Sequence, residues 1–469
     1  MGQHTVEKIG GTSMTRFGEL MNNILIGNRS GKDLYNRIFV VSAYGGITNL
    51  LLEDKKTAEP GIYGKFAQGD PSWEAALEAT RHRMIQLNRS FADLGLDQDA
   101  ADTFVNERMD GIKVCLRDLM RLRSFGHFRP NDYLPATREF LSAVGEAHSA
   151  FNSVEILRHH GVNAVFIDLS GWKENTAYSM EQMIEQHLAD VDVQTTMPIV
   201  TGYVKCAEGI MNSFDRGYSE ITFSKVAVVT GAREGIIHKE FHLSTGDPKL
   251  IGADKVKTIG NTNFDIADQL ADMDMEAIHS KASKEMEMRG IPIRVKNAFD
   301  PSHPGTLISK DYISPEPRVE MICGRNDIIA VEVFDPEMVG QSGFDFRLMD
   351  SFNKNKISYI AKNTNANTIT NYVSEKAKNL DKCLEQLEQQ FKHSKITTSK
   401  VAIVAVIGSN MKIPGFLSRA ANALARANIN ILALDQCMRQ VNMQFILSRD
   451  DFKAAQIALH REFVEENND

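Results

Sequence analysis

Residues 5–13 read TVEKIGGTS and residues 38–50 read IFVVSAYGGITNL. In both, a short strand-like run leads into a pair of glycines. Thr5–Ile9 has the pattern of a strand, and beyond Gly10-Gly11 the residues Met14, Phe17, Leu20, Met21, Ile24 and Leu25 recur at helical spacing. Ile38–Ser42 reads as a second, buried strand that runs into Gly45-Gly46. Further along, Thr137–His160 carries Phe140, Leu141, Val144, Phe151 and Val154 on one helical face, and Asn163–Leu169 and Met197–Tyr203 read as strands. Strands alternating with amphipathic helices predict a mostly parallel α/β sheet covered on both faces, an α/β/α sandwich. Lys55–Asp70, rich in Gly and Lys, is expected to be a loop, with long helices after it to about Gly126.

The clearest boundary is Pro301–Pro317, where prolines flank a serine-containing stretch. Beyond it, Val319–Val333, Lys400–Ile407, Ile429–Leu434 and Val441–Leu447 read as strands. Gly343–Lys354, Glu375–His393, Pro414–Ala427 and Lys453–Glu465 read as helices. In rough outline that is a βαββαβ order repeated, as in ferredoxin-like α+β modules. The expected division is 1–309, 318–393 and 399–466. A chain of 469 residues is too long for one core and suits such a division.

With 42% hydrophobic and 24% charged residues the composition is that of an ordinary globular protein. A formal net charge of −8 argues against nucleic acid as a partner, because phosphate backbones need a basic face. The five cysteines include no pair at metal-ligand or CxxC spacing, so reduced, mostly buried thiols are expected. No apolar run approaches the ~18 residues of a membrane span and the N-terminus has no apolar signal core, which together predict a cytoplasmic protein with no membrane partner.

The two glycine turns carry the chemistry. Glycine lets backbone approach a ligand closely, and the start of the following helix offers free N–H groups to phosphate. Lys8, at the first strand's end, can place a positive charge on the same phosphates. A tight turn with a solvated lysine would look the same, so one such turn says little. Two at parallel strand ends would face one crevice, where open α/β sheets bind ligands.

These segments, KIGGTS at 8–13 and VSAYGGITNLL at 41–51, resemble the N-terminal motifs of aspartate kinases in the amino-acid kinase family. Other matches follow in order along nearly the whole chain. Ser142-Ala143-Val144-Gly145-Glu146 resembles the family's helix segment ending in Gly-Glu. Thr201-Gly202-Tyr203 is similar to its Gly-Phe strand end, and Asp215–Glu220 (DRGYSE) to its GRGGSD motif. Lys296–Pro301 (KNAFDP) with Pro304-Gly305-Thr306 resembles KNTFNP…PGT. Residues 406–431, VIGSNMKIPGFLSRAANALARANINI, resemble the second of two ACT modules.

The chain also departs from the pattern. Glu220 stands for the family's Asp, and Asp215 and Tyr218 replace glycines. A strand beginning at Val226 is expected in place of the long helix that normally follows. The family's TDVDG strand end is matched to Thr230–Gly235, with an insertion His238–Thr245 before Asp247-Pro248-Lys249. Glu276 falls near a nucleotide-contacting lysine of many members. These departures resemble a subgroup associated with ectoine biosynthesis.

The resemblance implies transfer of phosphoryl from ATP, with Mg²⁺, to L-aspartate, giving 4-phospho-L-aspartate. It places that step first in the aspartate-family amino-acid pathway, or in ectoine synthesis. It implies that Lys8, Arg216 and Glu220 are catalytic, and that Ser42, Thr48, Glu146, Tyr203, Arg216 and Ser219 bind the substrate. Lys8, Gly10, Gly11, Ser13, Thr230, Asp247 and Lys249 are the nucleotide-side candidates. No acidic cluster marks a metal cage, so the metal is expected on the ATP phosphates. His279 is expected to be structural, hydrogen-bonded at a helix start. A homodimer through the ACT modules, or a higher homo-oligomer, is implied, with an amino-acid effector at that interface. The strand expected to line that pocket lies within Ser351–Ser374, which contains no Asp or Glu, so threonine is the expected effector before lysine. Disturbed nucleotide motifs leave one alternative of another class: a kinase-like scaffold that senses amino acids. A kinase for glutamate or an acetylated relative is a second.

Overall fold

The computed structural model describes residues 2–213, 217–273, 275 and 278–465, so Arg216 and Glu276 lie outside the described residues. The chain forms two compact units, one of residues 1–242 with 278–310 and the other of 243–277 with 311–469. The second crossing between the units lies between 310 and 311. The stretch 243–277, assigned in sequence to the first domain, belongs to the second unit. Its helix Phe264–Asp272 buries Ile266 and Leu270 in a core with Met321, Ile403 and Ala405 of that unit's sheet.

In the first unit, the strands are β1 (Thr5–Ile9), β2 (Arg37–Val41), β3 (Ala164–Ile167), β4 (Met197–Thr201) and β5 (Glu234–Lys239). The short β6 (Asn261–Asn263) belongs to the second unit, and β7 (Ile293–Asn297) and β8 (Thr306–Ser309) complete the first. They are ordered β3-β4-β2-β1-β5-β7-β8. All neighbours are parallel except β7 with β8. β1 and β2 are buried on both faces, and the charged Glu7 of β1 and Arg37 of β2 are enclosed there as an ion pair at 2.7 Å. Ile9 lies opposite Val41 and His238, so the parallel strands end level and their outgoing loops share one edge.

Two sequence expectations change here. Lys55–Asp70 is not all loop, since Ile62–Gln68 is helical with Ile62 and Phe66 buried. Residues Val226–Val229 are the last turn of a helix, Tyr218–Val229, and not a strand. The run VAVV looks like a strand because β-branched residues favour one. This helix is buried on nearly all sides, with Ile221, Phe223, Val226 and Ala227 enclosed, and burial outweighs propensity. The family's helix is therefore retained.

The second unit is one antiparallel sheet of β9 (Arg318–Phe334), β10 (Tyr359–Thr364), β11 (Thr368–Ser374), β12 (Lys395–Ser409), β13 (Ala433–Asp435) and β14 (Asn442–Ser448). Their order is β10-β11-β9-β12-β14-β13. β9 and β12 pair along their whole lengths, from Lys395 opposite Phe334 to Ser409 opposite Arg318. The last half of β9 joins β11, and the last half of β12 joins β14. Besides the core under helix Phe264–Asp272, two more lie along the sheet, one around Val333, Leu348 and Leu387, the other around Val404, Leu424 and Leu459. Each expected module thus lends one strand half to its neighbour. All five cysteines are free, but only Cys323 and Cys383 are buried. No helix among the described residues is long and apolar enough to cross a membrane.

Candidate active site

The level edge of the first unit brings both glycine turns together. A Cβ at Gly11 would stand 2.5 Å from the Ala43 carbonyl oxygen, so the turns touch through backbone. Thr15 Oγ1 accepts the Gly45 N–H at 2.9 Å, which ties the first helix to the second turn. Helix Pro130–His159 comes as close: a Cβ at Gly145 would meet the Ala43 methyl at 2.9 Å. That approach delivers the next residue, Glu146, into the crevice.

Glu146 is 3% exposed, and its Oε2 has no hydrogen-bond partner. A Cβ at Gly202, after β4, would stand 2.8 Å from that oxygen and 2.6 Å from Cβ of Ser219. Ser219 Oγ lies 3.0 Å from Ser42 Oγ. Ser42, Glu146, Gly202 and Ser219 therefore form one wall. Burial pushes the Glu146 carboxyl well above the usual range, against the opposing pull of Lys8 and the Ala43 amide.

Lys8 Nζ lies 3.4 Å from Glu220 Oε1, with both side chains mostly buried. Its ammonium stands over the first turn, 3.9 Å from where a Gly10 Cβ would be. Glu220 Oε2 accepts the His279 N–H at 2.7 Å. Burial alone would raise the Glu220 pKa; the charges of Lys8 and Lys239 and the His279 N–H outweigh it and hold the group below its ordinary value. Glu220 is thus an ionised anchor for Lys8, one methylene longer than the family's Asp. His279 caps helix Ser280–Arg289 by accepting the Lys281 N–H, the structural part expected of it. Ser13 is buried and donates to Glu240 Oε1 at 3.0 Å, and Thr48 is half-buried on helix Ile47–Leu51 at the second turn.

Other expected residues are elsewhere. Thr230 follows the helix, not a strand, and its hydroxyl lies 2.8 Å from Nε2 of His4, the residue before β1. It sits at the opposite edge of the sheet from the glycine turns. The strand end matched to Thr230–Gly235 is instead at His238–Glu240, and His238-Lys239 are strand residues, not an insertion. Asp247 caps the short helix Pro248–Ile251 by accepting the Lys249 N–H, and both belong to the second unit. Tyr203 is at the site's margin, but its hydroxyl donates to Glu139 Oε2 at 2.7 Å and is not free for a ligand.

Sequence reading missed Lys239, Glu240 and Glu139. Lys239 shares a sheet face with Lys8, since Lys8 pairs with Ile237. A basic residue closing an apolar strand was a signal for it once the strand was placed correctly. Thr230→Ala is expected to leave the KM for ATP within about twofold of wild type. Melting should show a loss of about 1 kcal/mol, from the hydroxyl's bonds to His4 and the Val226 carbonyl. A selective rise in the KM for ATP would return Thr230 to the nucleotide.

Crevice, cation and glycine-turn geometry agree with the comparisons to known proteins. The model of the amino acid kinase family matches residues 3–297, and an ACT domain model matches residues 404–463. The chain belongs to the amino acid kinase family. Within it, the chain is 49% identical over 467 residues to "Aspartate kinase Ask_Ect" of Stutzerimonas stutzeri, covering 99% of this chain and 98% of that one. It is 24% identical to chloroplastic aspartokinase 2 of Arabidopsis thaliana, over 98% of this chain and 84% of the relative. The fold matches E. coli aspartokinase III, solved with aspartate and ADP, at a TM-score of 0.72, 20% identity and coverage of 98% and 99%. It also matches the Clostridium acetobutylicum aspartate kinase at 0.74, 19% identity and coverage of 98% and 100%.

Proposed function

We propose that the protein is an aspartate kinase, which transfers the γ-phosphoryl group of ATP to the side-chain carboxylate of L-aspartate. The observation that carries this reading is Glu146: a buried carboxylate with an unpartnered oxygen, in a crevice that also holds the Lys8–Glu220 pair. A buried anion of this kind calls for a cation, and the substrate's α-ammonium supplies one. Nearly half-identity over the whole chain to an aspartate kinase supports the choice of substrate. The name of that relative, Ask_Ect, supports the ectoine-associated subgroup.

The nucleophile is the substrate's own carboxylate, with a pKa near ~3.9, so it is ionised at neutral pH and no general base is needed. Its oxygen forms a bond to the γ-phosphorus as the bond to the ADP oxygen breaks, giving 4-phospho-L-aspartate and ADP. The protein's task is to hold two anions together and to meet the charge on the transferring group. Lys8, held by Glu220, does the second. Ser42, Ser219 and Glu146 orient the amino acid, and Arg216 is the proposed partner of a substrate carboxylate. The glycine turns and Ser13 receive the nucleotide, with Lys239 added to that side. Among the described residues no group of three or more His, Cys, Asp or Glu converges to hold a metal. Mg²⁺ would arrive on the phosphates.

The paired ACT modules would join two copies of the chain and take an amino-acid effector. Asp345 is matched by Lys362 and Asp350 by Lys354, so the acids nearest the expected effector strand already have cations. This supports threonine over lysine. The test is ADP release with L-aspartate, with threonine and lysine titrated separately. ADP release that depends on aspartate and is lowered by threonine alone is expected. No aspartate-dependent release from folded protein would favour the sensor scaffold, and strong inhibition by lysine alone would reverse the effector choice.

A further inference from the structure

Behind the second glycine turn lies a buried polar cluster that takes no direct part in phosphoryl transfer. Tyr44, Asn88, His148 and Asn152 are each at most 1% exposed. Asn88, on helix Trp73–Ser90, donates from Nδ2 to Asp102 Oδ1 at 2.8 Å. A carboxylate accepts only, so Asn88 turns its own Oδ1 toward helix Pro130–His159. There His148 Nε2 lies 2.7 Å from Asn88 Oδ1, and Asn152 Nδ2 donates to the same oxygen at 2.8 Å. Two acceptors would repel at that first distance, so Nε2 carries the proton and His148 Nδ1 is left as an acceptor. Burial pushes the His148 pKa down to about 3, which keeps the ring neutral in that tautomer.

Three atoms of the cluster have no partner among the described residues: Tyr44 Oη, His148 Nδ1 and Asn152 Oδ1. They lie together. The Tyr44 ring stands edge-on to the His148 ring with centroids 5.3 Å apart, and Asn152 follows His148 by one helical turn. Burial raises the Tyr44 pKa, and Asn152 is near enough to the hydroxyl to oppose that rise. Two of the three atoms are acceptors that need a donor, and the third is a hydroxyl that needs an acceptor. One water molecule supplies two donors and an acceptor, and buried waters typically make about three such bonds. The bridge would join the two elements that form the substrate wall. Tyr44 follows Ala43, whose amide bears on the Glu146 carboxyl, and His148 is two residues beyond Glu146. Ser149 donates to the Ser42 carbonyl at 2.8 Å and ties down one end of this short segment; the water would tie down the other. We propose that Tyr44, His148 and Asn152 bind one internal water molecule, and that this bridge positions the second glycine turn so that Glu146 meets the amino acid. The water stands apart from the aspartate kinase reading, and its positioning role rests on that reading.

The first test is a crystal structure of the full-length chain at a resolution that shows waters. Density for one water within about 3.2 Å of Tyr44 Oη, His148 Nδ1 and Asn152 Oδ1 is expected. The second test is kinetic. Tyr44→Phe removes the hydroxyl but keeps the ring, and His148→Gln keeps a donor for Asn88 but removes the Nδ1 acceptor. Each is expected to raise the KM for aspartate about fivefold, the worth of one hydrogen bond, and to leave the KM for ATP within about twofold. Because both act through one water, the double variant should lose little more than either single variant. The proposal is overturned if the density shows no such water, or if Tyr44 bonds directly to His148 or Asn152. It is also overturned if the KM for aspartate is unchanged, if both KM values rise together, or if the two losses simply multiply. A wild type without aspartate-dependent ADP release would defeat the kinase reading and the positioning role with it, while the density would still decide the water.

Discussion

Lys8→Ala is expected to lower kcat on the order of a thousandfold, about 4 kcal/mol of barrier, while the protein stays folded. The size follows from where the ammonium lies. It stands over the Gly10 turn at the end of β1, and its mostly buried setting weakens the screening that water would impose. Charge that gathers on the transferring phosphoryl group would meet no equivalent replacement, because Lys239 leaves from the neighbouring strand. The fold should survive because Glu220 keeps the His279 N–H and the Lys239 charge after Lys8 is removed. Rates measured by ADP release, with melting as the control, decide the matter. A folded alanine variant within tenfold of wild type would take Lys8 out of the mechanism.

Glu146→Gln should raise the KM for aspartate by about a hundredfold and leave the KM for ATP nearly unchanged. Removing one member of a buried, charged hydrogen bond costs about 3 kcal/mol. The melting temperature should stay level or rise, since the free protein loses an unpartnered buried carboxylate. The pH dependence gives a second reading. Burial raises the Glu146 pKa in the free protein, so below that value the group is neutral and cannot pair with an ammonium. The kcat/KM for aspartate should therefore fall as pH drops through the raised pKa, and the glutamine variant should lack that limb. Stability runs the other way. The unfolded chain gives up this proton first, so Glu146 makes the free protein less stable as pH rises from the ordinary carboxylate range to the raised value. Equal changes in both KM values would show that Glu146 supports the crevice as a whole.

The parts of the site that were legible in the sequence are those built from local chain. KIGG and YGG mark their own turns, because a glycine pair after a short strand states the geometry without help from elsewhere. Glu146 was found through the Gly-Glu resemblance, and the structure adds its reason: Gly145 must lack a side chain for the helix to reach Ala43. What failed depended on distant packing. The β-branched run at 226–229 reads as a strand until Phe223 and Val226 are seen enclosed in a helix. That error displaced the next strand end by several residues, and with it Thr230, while Lys239 and Glu240 went unnoticed. The bond of Tyr203 to Glu139 spans 64 residues and leaves no local mark. The assignment of 243–277 to the second unit rests on Ile266 and Leu270, whose helical spacing is plain but whose partner is not.

The shared strands β9 and β12 have a consequence for anyone who shortens this chain. Each runs through both halves of the sheet, so a stop codon before residue 395 would remove the central neighbour of β9 along its whole length. What remained would be a long strand with bare N–H and C=O groups on one side, flanked by apolar residues such as Val331 and Val333. Such an edge pairs with other chains. Truncation here would yield a sticky protein, not a kinase relieved of regulation. A version insensitive to effectors is better sought through point changes that leave this sheet intact.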